Sequence, residues 1–473
     1  MAKSFEMDMT KGPLLKKLII YALPIVGINL VQLLFNAADV AILGIFASDN
    51  AVAAVGSTTA IVNLIIGFFV GLSLSANVLV ARCMGAGDRE KSNRLIGTSM
   101  VLSVIFGLFL TIIGVSCSKL FLTWMKCPSA IIDMATKYMQ IYFVGMPIIM
   151  LYNFSASIMR AVGDTLRPFI FLVIGGVLNI CLNIFFILVL HKDVEGVAIA
   201  TVASQGVAAI LSIVVLAKGK GFAKIDKKYL KVYKREFLEI LKIGVPTGIQ
   251  KCMFSLSNVV LTSTLNGFGE SVVTANTIAH QFDAIVHDVT DAFAMSTMAF
   301  VSQNLGAKNF KRIWRVIWES LILVTVVSLS VGGAVIIFSE QLCGIMTDTK
   351  EVIEYGVKRL TIMSGFYFLT GTMGVFANVL RALGKALYTM IGSFFCTVLF
   401  RIIWIYLVFP LAPTLNTYYA VYPISWGLCT AVYVVIAMPL LIKTQRKIEI
   451  EKVAEMKTQS IKTDGQIKEE VSA

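Results

Sequence analysis

The sequence predicts an all-α integral membrane protein, with 12 transmembrane helices forming two pseudo-symmetric six-helix lobes in a parallel repeat. Three observations predict it. The chain is 57% hydrophobic and only 15% charged over its 473 residues, whereas soluble domains carry about 25% charged residues. An apolar surplus of that size needs lipid as its solvent. Runs long enough to cross a bilayer, roughly 20 residues each, recur along the chain. The two halves also echo one another. Arg160-Ala161-Val162-Gly163-Asp164 returns 221 residues later as Arg381-Ala382-Leu383-Gly384-Lys385. Gly85-Ala86-Gly87 returns at the same offset as Gly306-Ala307-Lys308, and Pro24 returns as Pro246.

The first lobe, residues 1–217, contains apolar runs at 15–45, 52–81, 94–122, 130–157, 166–191 and 195–217. A basic linker, residues 218–236, follows, with a short amphipathic stretch expected at the membrane surface. The second lobe, residues 237–443, contains runs at 237–265, 272–301, 313–338, 354–379, 386–411 and 416–442. Residues 444–473 form a charged polar tail. Pro24 and Pro246 interrupt the first span of each lobe. Proline deletes one helical hydrogen bond and kinks the helix, so these sites suit either bending or a static packing kink.

The net charge of +13 is distributed by topology. Basic residues cluster at the N-terminus (Lys3, Lys11, Lys16, Lys17), in the 2–3 and 4–5 connections (Arg82, Arg89, Lys91, Arg94; Arg160, Arg167), and in the linker. They recur in the 8–9 and 10–11 connections (Lys308, Lys311, Arg312, Arg315; Arg381, Lys385) and in the tail. The positive-inside rule then places both termini in the cytoplasm, and the basic balance gives no reason to expect nucleic acid as a partner. Eight cysteines stand singly, with no CxxC pair, and read as small buried hydrophobes. The first span is too long for a signal-peptide core and is expected to remain in the mature protein.

Polar side chains inside the spans carry the chemistry. Asn29, Gln32, Asn36 and Asp39 are spaced 3, 4 and 3, on one face of the first span. An ionised carboxylate is costly there, so Asp39 faces a polar cavity, binds a cation or holds a proton. Interhelical strut is the alternative. Asn179 and Asn183, one turn apart in the fifth span, follow Gly175-Gly176, which lets a neighbouring helix approach closely. The sixth span offers Thr201, Ser204 and Gln205, whose oxygens suit a monovalent cation or a titrating carboxyl group, or act as helix–helix glue. In the eighth span, His280, Asp283, His287 and Asp291 form a second stripe, with Asp288 beside it. That stripe reads as a proton relay or a wet cavity wall; a metal site lacks thiolates and other support. Lys251 in the seventh span is a candidate counter-charge. No HExxH or GxSxG occurs, and the three histidines, His191, His280 and His287, compose no catalytic constellation, so the chain is not expected to be an enzyme.

The chain resembles the multidrug and toxic compound extrusion (MATE) family over nearly all of residues 10–440. The likeness rests on Asp39 with Gly44, Arg82-Cys83-Met84-Gly85-Ala86-Gly87, Gln303-Asn304-Leu305-Gly306-Ala307, and the twice-used Arg-Ala-x-Gly, above all Arg160 to Pro168. The resemblance implies a V-shaped pair of lobes in a bacterial cytoplasmic membrane, exporting organic cations or other amphipathic compounds in exchange for H⁺ or Na⁺. No cofactor beyond the coupling ion is expected, and the partners are small molecules and the lipid bilayer around a monomer. Asp39 matches the family's first-helix acid. Asn179, Asn183 and Thr201 fall where the DinF-like branch has its other coupling residues, and Asn153 matches a polar cavity position. Asn183 stands where that branch usually has Asp, and no acid occupies the seventh span as in the NorM-like branch. The runner-up reading is a flippase for lipid-linked oligosaccharides or lipids. A strongly cationic cavity would favour it, yet only Lys251 and Arg401 lie in the spans clearly away from loops.

Overall fold

The structure is a computed structural model that describes residues 6–219 and 221–472, with the side chains of Asp49 and of residues 453–472 outside the description. The basic Lys3 and most of the charged tail therefore lie outside the described side chains. The first lobe comprises α1 (Leu14–Phe46), α2 (Asp49–Ala86), α3 (Arg89–Trp124), α4 (Ile132–Val144), α5 (Met146–Ala161), α6 (Leu166–Leu188) and α7 (Val194–Lys218). The second comprises α8 (Lys234–Leu265), α9 (Glu270–Gly306), α10 (Phe310–Ile337), α11 (Ser339–Gly344), α12 (Lys350–Ala382), α13 (Ala386–Ser393), α14 (Phe400–Ile403) and α15 (Leu415–Ser472).

Among the described residues, nine helices are long and apolar enough to cross a membrane, and α4 with α5 makes a tenth span bent by 49°. α8 and α9, the remaining two of the expected twelve, are more polar, carrying Lys251 and the His280–Asp291 stripe. The bend in the fourth span was not anticipated. Pro147 sits in the first turn of α5, where its missing N–H costs nothing, and the helix restarts at a new angle. Pro24 and Pro246, by contrast, lie inside α1 and α8 without breaking either helix. In the α13–α14 span, π-helical turns at Phe394–Leu399 and Trp404–Val408 flank the short α14.

The lobes meet along α2, α8 and α9 at the end that carries the α2–α3 and α9–α10 turns. Glycine sets the spacing of this seam. A Cβ at Gly71 would stand 2.6 Å from the Gly248 Cα, and one at Gly85 would stand 1.8 Å from the Gln303 carbonyl oxygen. Any side chain there holds the backbones apart. Polar ties reinforce the seam: Lys91 pairs with Glu239 at 3.0 Å, and Arg82 donates to the Ala382 carbonyl.

The segment before α1 straps both lobes across this end. Met7 N donates to Val162 O at 2.8 Å, and the Glu6 carboxylate accepts from Phe222 N in the linker at 2.7 Å. On the other side Met9 N donates to Gln303 Oε1 at 2.5 Å, and Arg312 Nε donates to Met9 O at 2.9 Å. Met9 is completely buried. The linker packs on α3, where Arg89 stacks over Phe222 at 5.1 Å. Towards the opposite end the lobes diverge: among the described residues, inter-lobe hydrogen bonds along α2 stop at Leu64, whose carbonyl accepts from Cys252 Sγ at 3.6 Å.

A branched side chain in the seam tests this geometry. Overpacking costs about 1–3 kcal/mol, so Gly248→Val should shift the population towards lobes parted at the strapped end. Spin labels at Asp88→Cys and Lys311→Cys, in a cysteine-free background, should show a longer inter-label distance gaining about tenfold in relative weight.

Candidate functional site

Asp39, Asn179, Asn183 and Thr201 converge from three helices inside the first lobe. α6 approaches its neighbours closely because Gly175 and Gly176 lack side chains: a Cβ at Gly176 would fall within the Phe35 ring of α1, and one at Gly175 would sit 2.9 Å from Ser204 O of α7. One turn on, Asn183 Nδ2 donates to Asp39 Oδ1 at 2.5 Å and to Asn179 Oδ1 at 3.3 Å. Asn179 Nδ2 donates to Thr201 Oγ1 at 3.4 Å, and Thr201 Oγ1 lies 3.4 Å from Asp39 Oδ2. The single Thr201 hydroxyl proton is shared with Val197 O, 2.9 Å away, so its hold on the carboxylate is weak.

Asp39 is 9% exposed and makes no ion pair among the described residues. Its charge is met only by neutral dipoles. The Asn183 amide spends both N–H bonds on Asp39 and Asn179, leaving Asn183 Oδ1 buried without a partner. A carboxylate beside an unused amide oxygen and a hydroxyl has two uses. It can take a proton, with the amide turned so that its oxygen accepts from the acid, or hold a small monovalent cation among oxygens. Tyr138 and Tyr142 of α4 stack at 6.1 Å. The sequence reading passed over this pair; its only signal was two tyrosines at i, i+4.

The other candidates divide. Gln32 and Asn36 on α1 and His280 and His287 on α9 are exposed. Asn29 instead bridges the lobes, donating to Asp288 O at 3.1 Å. Asp291 is half-buried, and His287 Nδ1 lies 3.4 Å from Asp288 Oδ1. Gln205 Oε1 is buried and unpartnered one turn from Thr201, whereas Asn153 spends its amide on Ile149 O of its own helix at 2.9 Å. On α8, Lys251, Ser255, Asn258 and Thr262 form an exposed polar stripe, the counterpart of the α1 face.

Asp283 is corrected by the structure. It does not line the cleft but is 2% exposed inside the second lobe, where Arg359 grips its Oδ2 through Nη2 at 2.6 Å and Nε at 3.0 Å. Arg359 also donates to Asn276 Oδ1 and lies over the Tyr419 ring at 5.9 Å. The expectation that only Lys251 and Arg401 place positive charge in the spans therefore overlooked Arg359, which sits ten residues into α12 and is 4% exposed. Paired with Asp283, it adds no net charge to the cleft.

Removing one partner of a buried pair strands the other charge, at about 3–5 kcal/mol. Arg359→Ala should lower the thermal unfolding midpoint of the purified protein by several degrees, and Asp283→Ala in the same chain should restore part of that loss.

Comparison with known proteins agrees with this architecture. The MatE family model matches twice, over residues 24–185 and 246–407. The probable multidrug resistance protein YoeA of Bacillus subtilis is 27% identical over 397 residues, covering 82% of this chain and 85% of the relative. The multidrug export protein MepA of Staphylococcus aureus is 20% identical, covering 79% and 83%. A solved MATE structure in the bent conformation superimposes with a TM-score of 0.85 at 21% identity, over 92% of this chain and 97% of that one. A MATE family transporter of the MOP superfamily in its outward-facing conformation gives 0.83 at 22% identity, over 94% and 98%. With two copies of the family unit spanning most of its length, arranged as two six-helix lobes, the chain belongs to the MatE family of multidrug and toxic compound extrusion transporters.

Proposed function

We propose that the protein is a secondary active multidrug antiporter of a bacterial cytoplasmic membrane, exporting organic cations or amphipathic compounds in exchange for H⁺ or Na⁺. The observation that carries this reading is the Asp39 carboxylate, held by Asn183 and Thr201 inside a span with no basic partner among the described residues. A carboxylate locked to arginine is a strut. One held only by amides and a hydroxyl keeps its charge available to an arriving ion. The names of the curated relatives, multidrug resistance and multidrug export proteins, support the cargo class.

The strapped end carries the basic connections, Arg82 to Arg94, Arg160 and Arg167, and Lys308 to Arg315, and on the positive-inside rule it faces the cytoplasm. The cleft then opens outward. An ion entering from outside neutralises Asp39 and removes the charge to which Asn183 donates. α1 is thereby loosened from α6 and α7. The same helix reaches α9 through Asn29 and Asp288 O, so its displacement is felt at the seam between lobes. A cationic substrate in the cleft loses its counter-charge at that moment and leaves. Coupling of this kind needs only the 1–3 kcal/mol by which each ligand prefers one conformation.

The test uses purified protein in vesicles under separate pH and sodium gradients. Asp39→Asn should abolish substrate-driven release of the coupling ion while the unfolding midpoint stays unchanged; undiminished antiport would overturn the proposal. The gradient that drives wild-type export identifies the ion. Thr201→Val removes one weak hydrogen bond, worth about 1 kcal/mol, and should weaken the apparent affinity for the ion about fivefold without abolishing exchange.

A further inference from the structure

The two family units run in register at a constant offset, the first beginning at 24 and the second at 246. At that offset Asn36 corresponds to Asn258 and Asn179 to Arg401. Asp39 itself corresponds to Leu261, so in place of an acid on its first helix the second lobe carries a cation, Arg401, where the first lobe has Asn179. Arg401 is 3% exposed. Its Nε donates to Ser425 Oγ at 3.1 Å, and its Nη1 donates to Ser257 Oγ and Asn258 Oδ1, both at 3.3 Å. The guanidinium lies over the Tyr422 ring at 4.8 Å. Every one of these partners is neutral, and Arg401 makes no ion pair among the described residues, whereas its neighbour Arg359 is matched by Asp283.

The bonding of this cluster is incomplete in a particular way. A guanidinium has five N–H bonds, and Nη2 of Arg401 makes no hydrogen bond to the described residues. Asn258 accepts through Oδ1 while its Nδ2 has no acceptor either. Asn258 is exposed on the polar stripe of α8, which gives the free donors access from outside the lobe. The backbone supplies a second, independent sign. Arg401 sits in a four-residue α-helical island between two π-helical stretches, Phe394–Leu399 and Trp404–Val408. Such turns surrender regular hydrogen bonding and concentrate at functional sites.

The geometry points to a monovalent-anion site at Arg401, bounded by Asn258, Ser257, Ser425 and Tyr422 and entered from outside the lobe. Its ligand is a halide ion or the carboxylate group of an amphipathic substrate. Both present one diffuse negative charge to the Arg401 Nη2 and Asn258 Nδ2 donors, and a guanidinium suits a carboxylate particularly well. The transporter then offers a cation-binding lobe and an anion-binding lobe.

The test reads binding alone, so it stands or falls separately from antiport. Purified full-length protein in detergent is titrated at constant ionic strength with chloride or bromide against gluconate, and in a second arm with benzoate. The unfolding midpoint should rise saturably, by about 2–5 °C. A rise with halide alone assigns the site to inorganic anion, a rise with benzoate alone assigns it to a substrate carboxylate, and mutual competition assigns it to both. Arg401→Gln should abolish the rise. Should that variant not fold, Asn258→Leu, which keeps the guanidinium, should shift the half-saturating concentration about tenfold. A flat wild-type response to both ligands, or a response unchanged in the folded variants, would overturn the site.

Discussion

An ionisable carboxylate inside a membrane helix must be solvated by something. An acid at the centre of a span costs about 2.5–3.5 kcal/mol on insertion scales, and the protein repays it with the Asn183 amide and the Thr201 hydroxyl. Neutral donors reduce the cost of the charge without cancelling it. The rest of the first lobe follows from that requirement. α6 must come close enough for its asparagines to reach α1, which requires Gly175 and Gly176, and α7 must present Thr201 from the other side. The site is thus an arrangement of backbones as much as of side chains.

The second lobe handles its charges differently. Asp283 and Arg359 cancel one another at 2.6 Å and take no part in the cleft. Arg401, like Asp39, is surrounded by neutral groups. The second lobe has an apolar residue, Leu261, where the first has Asp39, and a cation, Arg401, where the first has Asn179. The seam between lobes is generic by comparison: glycines on α2 and α8 permit contact, while few directional bonds demand it.

Much of this was legible in the chain. The repeat, the apolar runs and the alternating basic loops fixed twelve spans and two lobes. Asp39, Asn179, Asn183 and Thr201 could be singled out because polar groups at helical spacing stand out against lipid-facing sequence. Other features left weaker traces. Arg359 follows Lys358 near the start of its span, where charge ordinarily belongs to the loop, so its burial was masked by its neighbour. The eighth-span stripe looked continuous by spacing, yet Asp283 turns inward while His280 and His287 turn outward. One helical face wide enough to touch both a lobe interior and a cleft has no signature in periodicity. Pro147 announced a bend only in hindsight, since proline in the first turn of one helix and proline within a long helix read alike.

The strap ahead of α1 is held by backbone atoms: the Met9 amide is bound by Gln303, and its carbonyl by Asn304 and Arg312. Because Met7 on the same segment is bonded to Val162 of the opposite lobe, the lobes cannot swing apart here while both attachments persist. The Met9 N–H then meets water only in moments when the strap has let go. Deuterium uptake at this one amide would clock the opening of the transporter, with no label, substrate or ion gradient needed.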